Sequence, residues 1–322
     1  MEVTRRRVTV SALGAPGPTH PGPGYSDDVL VARMVDYWRR HLEDVLIDQP
    51  DLVVLPELCD RYNGSPIAAV VELRPAMAQA MHQELAGVAQ QAGCHIVHAA
   101  AWAGNDGRWH NSARLIGRGG EDLGRYDKLR LVPPELDYNL VPGTDPVVLE
   151  TDFGRVGFAI CFDLNFIELI EQYRPLHPDV MIFPSRYHGG LMQRYWAFQL
   201  RSHFIGAVGI HNLTSDILSP VAGKVAGSTN YQSWITTMIN TNCAVVHLDN
   251  NGAGPLAALK KAYGPAVTIS DPGELGSVLI TAVDVPVDDL LSEFGIERLD
   301  DYLERARAVN ARAIEQLEEE TP

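Results

Sequence analysis

The 322-residue sequence has no run approaching 18 consecutive apolar residues, so no segment is expected to cross a bilayer as a helix. Its opening, MEVTRRRVTVSALGAPG, carries only a short apolar run, which reads as a first strand and not as the core of a signal peptide. Positive charge is scarce: 26 Lys and Arg stand against 41 Asp and Glu, a formal net charge of −15. A chain of that sign repels the phosphate backbone, and no basic stripe offsets it, so nucleic acid is not expected as a partner. The triplet Arg5-Arg6-Arg7 reads as a solvated strand entry. Cysteine is scarcer still. Cys59, Cys94, Cys161 and Cys243 are irregularly spaced with no CxxC pair, which predicts a reducing, cytoplasmic setting and no disulfide framework. No metal site is expected either, because His95 and His98 lie three apart in a predicted strand and face opposite ways. GxSxG is absent, no Pro/Gly/Ser linker interrupts the middle of the chain, and no long repeat recurs. The PGPTHPGPG stretch at 16–24 is a surface loop too near the N-terminus to divide domains, so one domain is expected over 1–322.

What is present is the composition of a globular protein, 46% apolar and 21% charged. Short strand-like runs are predicted at 7–13, 51–55, 95–101, 111–117, 155–160, 179–183, 207–210, 233–239 and 277–283. Helical periods are predicted over 27–48, 75–92, 166–174, 189–204 and 298–318. In the last, Leu299, Tyr302, Leu303, Ala306, Val309, Ala313, Ile314 and Leu317 form one apolar stripe, which can dock on its own domain or on a second subunit. DLVVL is apolar at four successive positions, as for a strand covered on both faces. These signs give an α/β fold layered with sheets between helices.

The stretch RVGFAICFDLNFIELI (155–170) carries the chemistry. Gly157, Ala159 and Cys161 share one strand face, so the thiol stands at the strand exit among small neighbours. Asn165-x-x-Glu168 then reads as a helix start, with Pro175 as a stop. A thiol at such a turn is expected to favour the thiolate, and the turn's amides can bind an oxyanion. A cysteine packed as a small core hydrophobe is the alternative. DLVVL runs into Pro56-Glu57, placing a carboxylate past a buried strand; YDKLRLVPPE places Lys128 at another strand end, with Glu135 seven residues on. Each alone also fits a solvated loop or surface residue.

Taken in order, LPE, YDKLRLVPPE and GFAICFD resemble the carbon–nitrogen hydrolase (nitrilase) superfamily, as do WHNSARLIGRGGEDLGRYDK, with Asn111-Ser112-Ala113, and PGTDPVVLETDFGRVGFAICFD. The resemblance covers most of 7–283, leaving 284–322 as a C-terminal helical extension. It implies a single-domain four-layer αββα sandwich, a homodimer or higher homo-oligomer, a small-molecule substrate and no cofactor. It implies a triad of Glu57 as general base, Lys128 as oxyanion stabiliser and Cys161 as nucleophile, with the Phe162 backbone N–H as second oxyanion donor and Glu135 orienting the lysine. A thioester acyl-enzyme follows. The pair Phe162-Asp163 is similar to amidases and carbamoylases, whereas nitrilases tend to carry Trp-Glu, so a small amide or N-carbamoyl compound is the expected substrate. Ile167 in place of a proline, Leu129-Arg130 after the lysine, and AFQLRSHFIGAVGI with only Arg201 kept depart from the common pattern. In IFPSRYHGG, Arg186 can bind a substrate carboxylate or lie on the surface, beside Tyr187; His188-Gly189-Gly190 reads as a helix-entry turn. Tyr138 and Trp196 are candidate pocket walls. Nitrile hydrolysis, acyl transfer to an amine and a non-catalytic binding protein on the same fold are the rival readings.

Overall fold

Alternation along the strands sorts side chains into two cores. In a computed structural model describing residues 7–64, 67–104, 106–270 and 276–320, Leu52 and Val54 of one strand join the first core while Val53 and Leu55 join the second. Arg5 and Arg6 of the basic triplet lie outside the described residues; Arg7 opens the first strand.

The chain divides into two compact units, Met1–Ile239 and Asn240–Pro322. In the first, β1 (Arg7–Leu13), α1 (Asp27–Leu46), β2 (Leu52–Val54), α2 (Ile67–Ala92), β3 (His95–Ala103), β4 (Trp109–Ile116), β5 (Asp122–Asp127) and α3 (Pro133–Asp137) are followed by β6 (Val148–Thr151) and β7 (Gly154–Phe158). Then come α4 (Ile167–Tyr173), β8 (Val180–Ser185), α5 (Leu191–Leu200), β9 (His203–Val208), β10 (Asp216–Leu218), β11 (Lys224–Gly227) and β12 (Trp234–Asn240). One sheet has the order β12-β1-β2-β3-β4-β5 and the other β11-β10-β9-β8-β7-β6. Each is parallel at its centre, β1-β2-β3 and β7-β8-β9, and antiparallel toward β5, β6 and β11. Val10, Val54, Val97 and Leu115 of the first sheet and Phe158 and Ile182 of the second belong to one core, and Met34 and Trp38 of α1 with Met81 and Leu85 of α2 cover the first sheet's other face. Leu169 of α4 and Trp196 of α5 lie against the second sheet. This is the αββα layering expected.

Two expected boundaries are corrected. The second helix begins at Ile67, not at 75; Pro75 removes one backbone donor inside it without ending it. The helix expected to reach 204 stops at Leu200, because Arg201 takes a left-handed conformation (φ 53°), and the following strand is His203–Val208 instead of 207–210. That strand is buried at every position, and a continuously apolar run has no period to separate it from a buried helix.

The second unit has its own core. β13 (Cys243–His247), α6 (Leu248–Asn251), α7 (Ala253–Tyr263), β14 (Val267–Ser270), β15 (Ser277–Ala282), α8 (Val287–Phe294) and α9 (Leu299–Glu320) build an antiparallel sheet β13-β15-β14 on which Leu259, Leu290 and Leu291 pack. Residues 284–296 are therefore part of a core that begins near 244. The α9 stripe docks through Leu299, with the Tyr302 ring 5.2 Å from His247, and becomes exposed further on at Val309, Ile314 and Leu317.

Candidate active site

Four strand exits in the first unit supply the site. Glu57 follows β2, Lys128 follows β5 directly, Cys161 opens a 3-10 turn (Cys161–Asn165) after β7, and Arg186 follows β8. Lys128 Nζ lies 2.8 Å from Glu57 Oε1 and 2.8 Å from Glu135 Oε2. Asn111, on β4, donates through Nδ2 to Glu57 Oε1 at 2.8 Å and to Glu135 Oε1 at 2.7 Å. The Cys161 thiol hydrogen-bonds Glu57, and the Arg186 backbone N–H faces both the sulfur and Glu57 Oε2, the latter at 3.1 Å. Glu57 and Lys128 are only 3% and 1% exposed, so these charges act on one another with little water between them.

Local structure fixes each group. Glu135 sits in the first turn of α3, behind Pro133 and Pro134, and reaches back to the Val132 N–H at 2.8 Å. Cys161 has φ 47°, a left-handed conformation that costs a non-glycine residue about 1–2 kcal/mol. Asp163 holds that turn: it accepts from Ile160 N at 2.9 Å, Tyr126 OH at 2.8 Å and Arg130 N at 2.7 Å, tying the cysteine turn to the segment after Lys128. Burial pushes the Asp163 carboxyl up to about 6 against the pull of those donors.

The electrostatics place protons. Burial raises the Glu57 carboxyl, but the charge of Lys128 and the hydrogen bonds from Lys128, Cys161 and Asn111 outweigh it, and the net shift is downward. Burial lowers Lys128, yet Glu57 and Glu135 more than reverse this and hold it cationic. Burial and then the Glu57 charge push the Cys161 thiol up to about 12, with Lys128 opposing. The resting site is carboxylate, ammonium and neutral thiol. The sequence expectation that the turn favours thiolate is thereby corrected: the turn after Cys161 is a five-residue 3-10 segment, and a buried carboxylate dominates the sulfur's field.

Phe162 occupies the second position of the turn, its ring edge-on to Phe166 at 5.2 Å. Tyr187 is half-buried, with its hydroxyl donating to Asn165 Oδ1 at 3.2 Å. Tyr138 lines a cleft together with Glu135. Arg186 is half-buried and donates to Asn63 Oδ1 at 2.7 Å, so it is not a free surface arginine. Trp196 is corrected: it is fully buried, its indole donating to the Leu164 carbonyl at 3.0 Å, and it supports the turn from the core instead of walling a pocket. Gly189 has φ 76°, and a Cβ there would lie 2.4 Å from Leu164 Cδ2, so the helix-entry turn needs glycine to approach the cysteine turn. Asn111, Tyr126 and Asp163 complete the arrangement; from the sequence Asn111 and Asp163 enter only as parts of motifs, and none of the three is given a role in positioning the site. Among the described residues no group of three or more His, Cys, Asp or Glu is arranged to hold a metal ion, and no helix is long and apolar enough to cross a membrane.

The carbon–nitrogen hydrolase family model matches residues 28–208. A "hydrolase in pqqF 5′ region" of Pseudomonas protegens is 29% identical over 42% of this chain and 48% of its own length, and the omega-amidase of Homo sapiens is 24% identical over 38% and 48%. The chain thus spans about half the length of the curated relatives it matches. Among solved structures, an amidase from Nesterenkonia sp. superposes with a TM-score of 0.60 at 18% identity, covering 75% of this chain and 94% of that one, a likeness of fold.

Proposed function

The chain belongs to the carbon–nitrogen hydrolase family, and from that premise we propose that it hydrolyses the C–N bond of a small amide or N-carbamoyl compound through a thioester on Cys161. One observation carries the reading: the Glu57 carboxylate touches both the Cys161 thiol and the Lys128 ammonium. Glu57 takes the thiol proton as sulfur attacks the carbonyl carbon, so thiolate arises only as the bond forms. The oxyanion is met by Lys128 and the Phe162 backbone N–H. Glu57 then returns the proton to the departing nitrogen, the amine leaves, and the thioester remains. Water attacks next, giving its proton to Glu57; the acid product departs as the sulfur is reprotonated. Glu135 and Asn111 hold Lys128 and Glu57 in register.

Amides are preferred to nitriles in this reading. Amide attack develops O⁻, which an ammonium and an N–H can meet, and losing one such donor typically costs about 2.7–4 kcal/mol. A nitrile develops charge on nitrogen and needs a proton delivered there. The test is turnover of matched amides, carbamoyl compounds and nitriles, with intact-protein mass spectrometry. An acyl adduct on wild type that hydroxylamine diverts to a hydroxamate, and no turnover in Cys161→Ala, are expected. Turnover of nitriles but not of amides with the same acyl group would reject the assignment.

A further inference from the structure

The β8 exit brings one backbone donor to the nucleophile: the Arg186 N–H faces the Cys161 sulfur and lies 3.1 Å from Glu57 Oε2. The loop that carries this donor has little stiffness of its own. Between Ser185, which ends β8, and Leu191, which opens α5, stand Gly189 at φ 76° and Gly190 at φ 49°. Glycine loses more conformational freedom on ordering than any other residue, so two in succession make the segment costly to fix. The side chains of Arg186 and Tyr187 reach Asn63, in the loop after β2, and Asn165, at the end of the 3-10 turn. His188 reaches a sheet.

Both ring nitrogens of His188 are engaged. Nδ1 accepts from the Gly190 N–H at 3.1 Å, so in the neutral ring the proton sits on Nε2. That N–H turns to the second sheet, 3.6 Å from Asp216 Oδ2 on β10 and 3.5 Å from Thr214 Oγ1 just before it. At those lengths the contacts orient the ring more than they bind it. Asp216 is itself anchored: it is 7% exposed, and Lys224 Nζ on β11 lies 2.7 Å from its Oδ1. Burial raises the Asp216 carboxyl, but His188 and Lys224 outweigh it and hold the group ionised, below the ordinary carboxylate range. The His188 carbonyl is held as well, accepting from Nε2 of Gln193, a buried side chain in the first turn of α5.

We propose that His188 is a positioning residue: oriented by Asp216 and Thr214, it ties the 186–190 loop to the second sheet so that the Arg186 backbone N–H meets the Cys161 sulfur and Glu57 Oε2. This rests on the amidase reading above and adds a residue to it. The Arg186 N–H counts most while the sulfur carries charge, as the thioester forms and again as the sulfur leaves in deacylation. Its loss therefore belongs in kcat and not in KM.

The test reads turnover of a small primary amide, butyramide, beside alkylation of Cys161 by iodoacetamide at pH 8, located by peptide mass spectrometry. His188→Ala is expected to lower kcat by about 10-fold with KM within about 2-fold of wild type, and to slow alkylation by a similar factor. His188→Gln, whose amide N–H takes the place of the Nε2–H, should recover part of both. His188→Asn keeps an acceptor for the Gly190 N–H but is too short to reach Asp216, and should stay low. Asp216→Asn should lower both rates, and combining it with His188→Ala should cost no more than His188→Ala alone. Unchanged kcat and alkylation in His188→Ala, a rise in KM alone, recovery by Asn but not by Gln, or losses that multiply in the double variant each overturn the proposal. If denaturant melts find His188→Ala unfolded, Asp216→Asn decides, and wild-type rates there overturn the proposal. Alkylation requires no amide turnover: if no amide is hydrolysed, the amidase reading fails, and the alkylation rates still decide the role of His188.

Discussion

Glu57 holds a proton donor and a cation at once, and the two pull its chemistry in different directions. Its negative charge raises the neighbouring thiol, while Lys128 keeps the carboxyl itself ionised. Reactivity and catalysis are therefore separable at this residue. In Glu57→Gln the carboxylate charge is gone and Lys128 remains, so the Cys161 thiol should titrate at lower pH than the wild-type value of about 12. Alkylation by iodoacetamide at pH 8 should become faster than in wild type, while amide turnover falls by at least about 100-fold for want of a base. Slower alkylation in that variant would mean that the carboxylate does not set the thiol's ionisation. Residues of the site differ in how openly the sequence declares them. Glu57 and Cys161 each interrupt an apolar run with chemistry, which is visible in one dimension, whereas Lys128 follows a polar strand and is visible only through the motif YDKLRLVPPE around it. Asn111 and Asp163 stand out only as motif letters and not by their roles, because a carboxamide in a strand and an Asp in a turn have ordinary structural uses, and their roles come from partners 24 to 54 and 33 to 37 positions away.

At the scale of elements, the site is a set of strand exits from two sheets: β2, β7 and β8 lie in the parallel centres, and β5, two antiparallel steps from β3, runs in the same direction. The first five predicted strands match observed ones because alternation or a short apolar run marks each. Weaker pieces escape: β6, β10 and β11 have only three or four residues, α7 has a weak helical period, and α8 carries Val287, Leu290, Leu291 and Phe294 at helical spacing but is only eight residues long. The left-handed turn at Cys161 is likewise invisible beforehand, since no glycine announces it. It makes a measurable demand. With side-chain chemistry removed in both, Cys161→Gly should be more stable than Cys161→Ala by about 1 kcal/mol, because glycine enters the left-handed region without the Cβ penalty. Denaturant melts of the two variants give the comparison. Equal stability, or an advantage for alanine, would show that the turn relaxes out of this conformation when the thiol is lost.

Across the whole molecule, the acidic balance that argues against nucleic acid says little about how stability responds to pH; buried titratable groups decide that. They oppose one another. Asp60 and Asp163, raised to about 7 and about 6, take up protons in the folded state and gain stability on acidification. His98 works in the other direction. It is fully buried on β3, neither ring nitrogen has a hydrogen-bond partner, His82 of α2 stacks 5.8 Å away, and Trp102 meets both edge-on. Burial, then the neighbouring charges, depresses it well below the ordinary histidine value. A base depressed on folding stays neutral in the native state while the unfolded chain protonates near pH 6.5, so its contribution to stability is lost as pH falls through that region. With the native imidazole neutral throughout, the loss between pH 7.5 and 5.5 is on the order of 1 kcal/mol from this residue alone. His98→Leu removes the titration and two unsatisfied polar atoms together. The mutant should therefore be at least as stable as wild type at pH 7.5, and its advantage should widen by about that amount at pH 5.5. Denaturant melts of both proteins at the two pH values measure the difference directly, and cancel the aspartates common to each. A gap that stays constant with pH would show that His98 takes up its proton in the folded state.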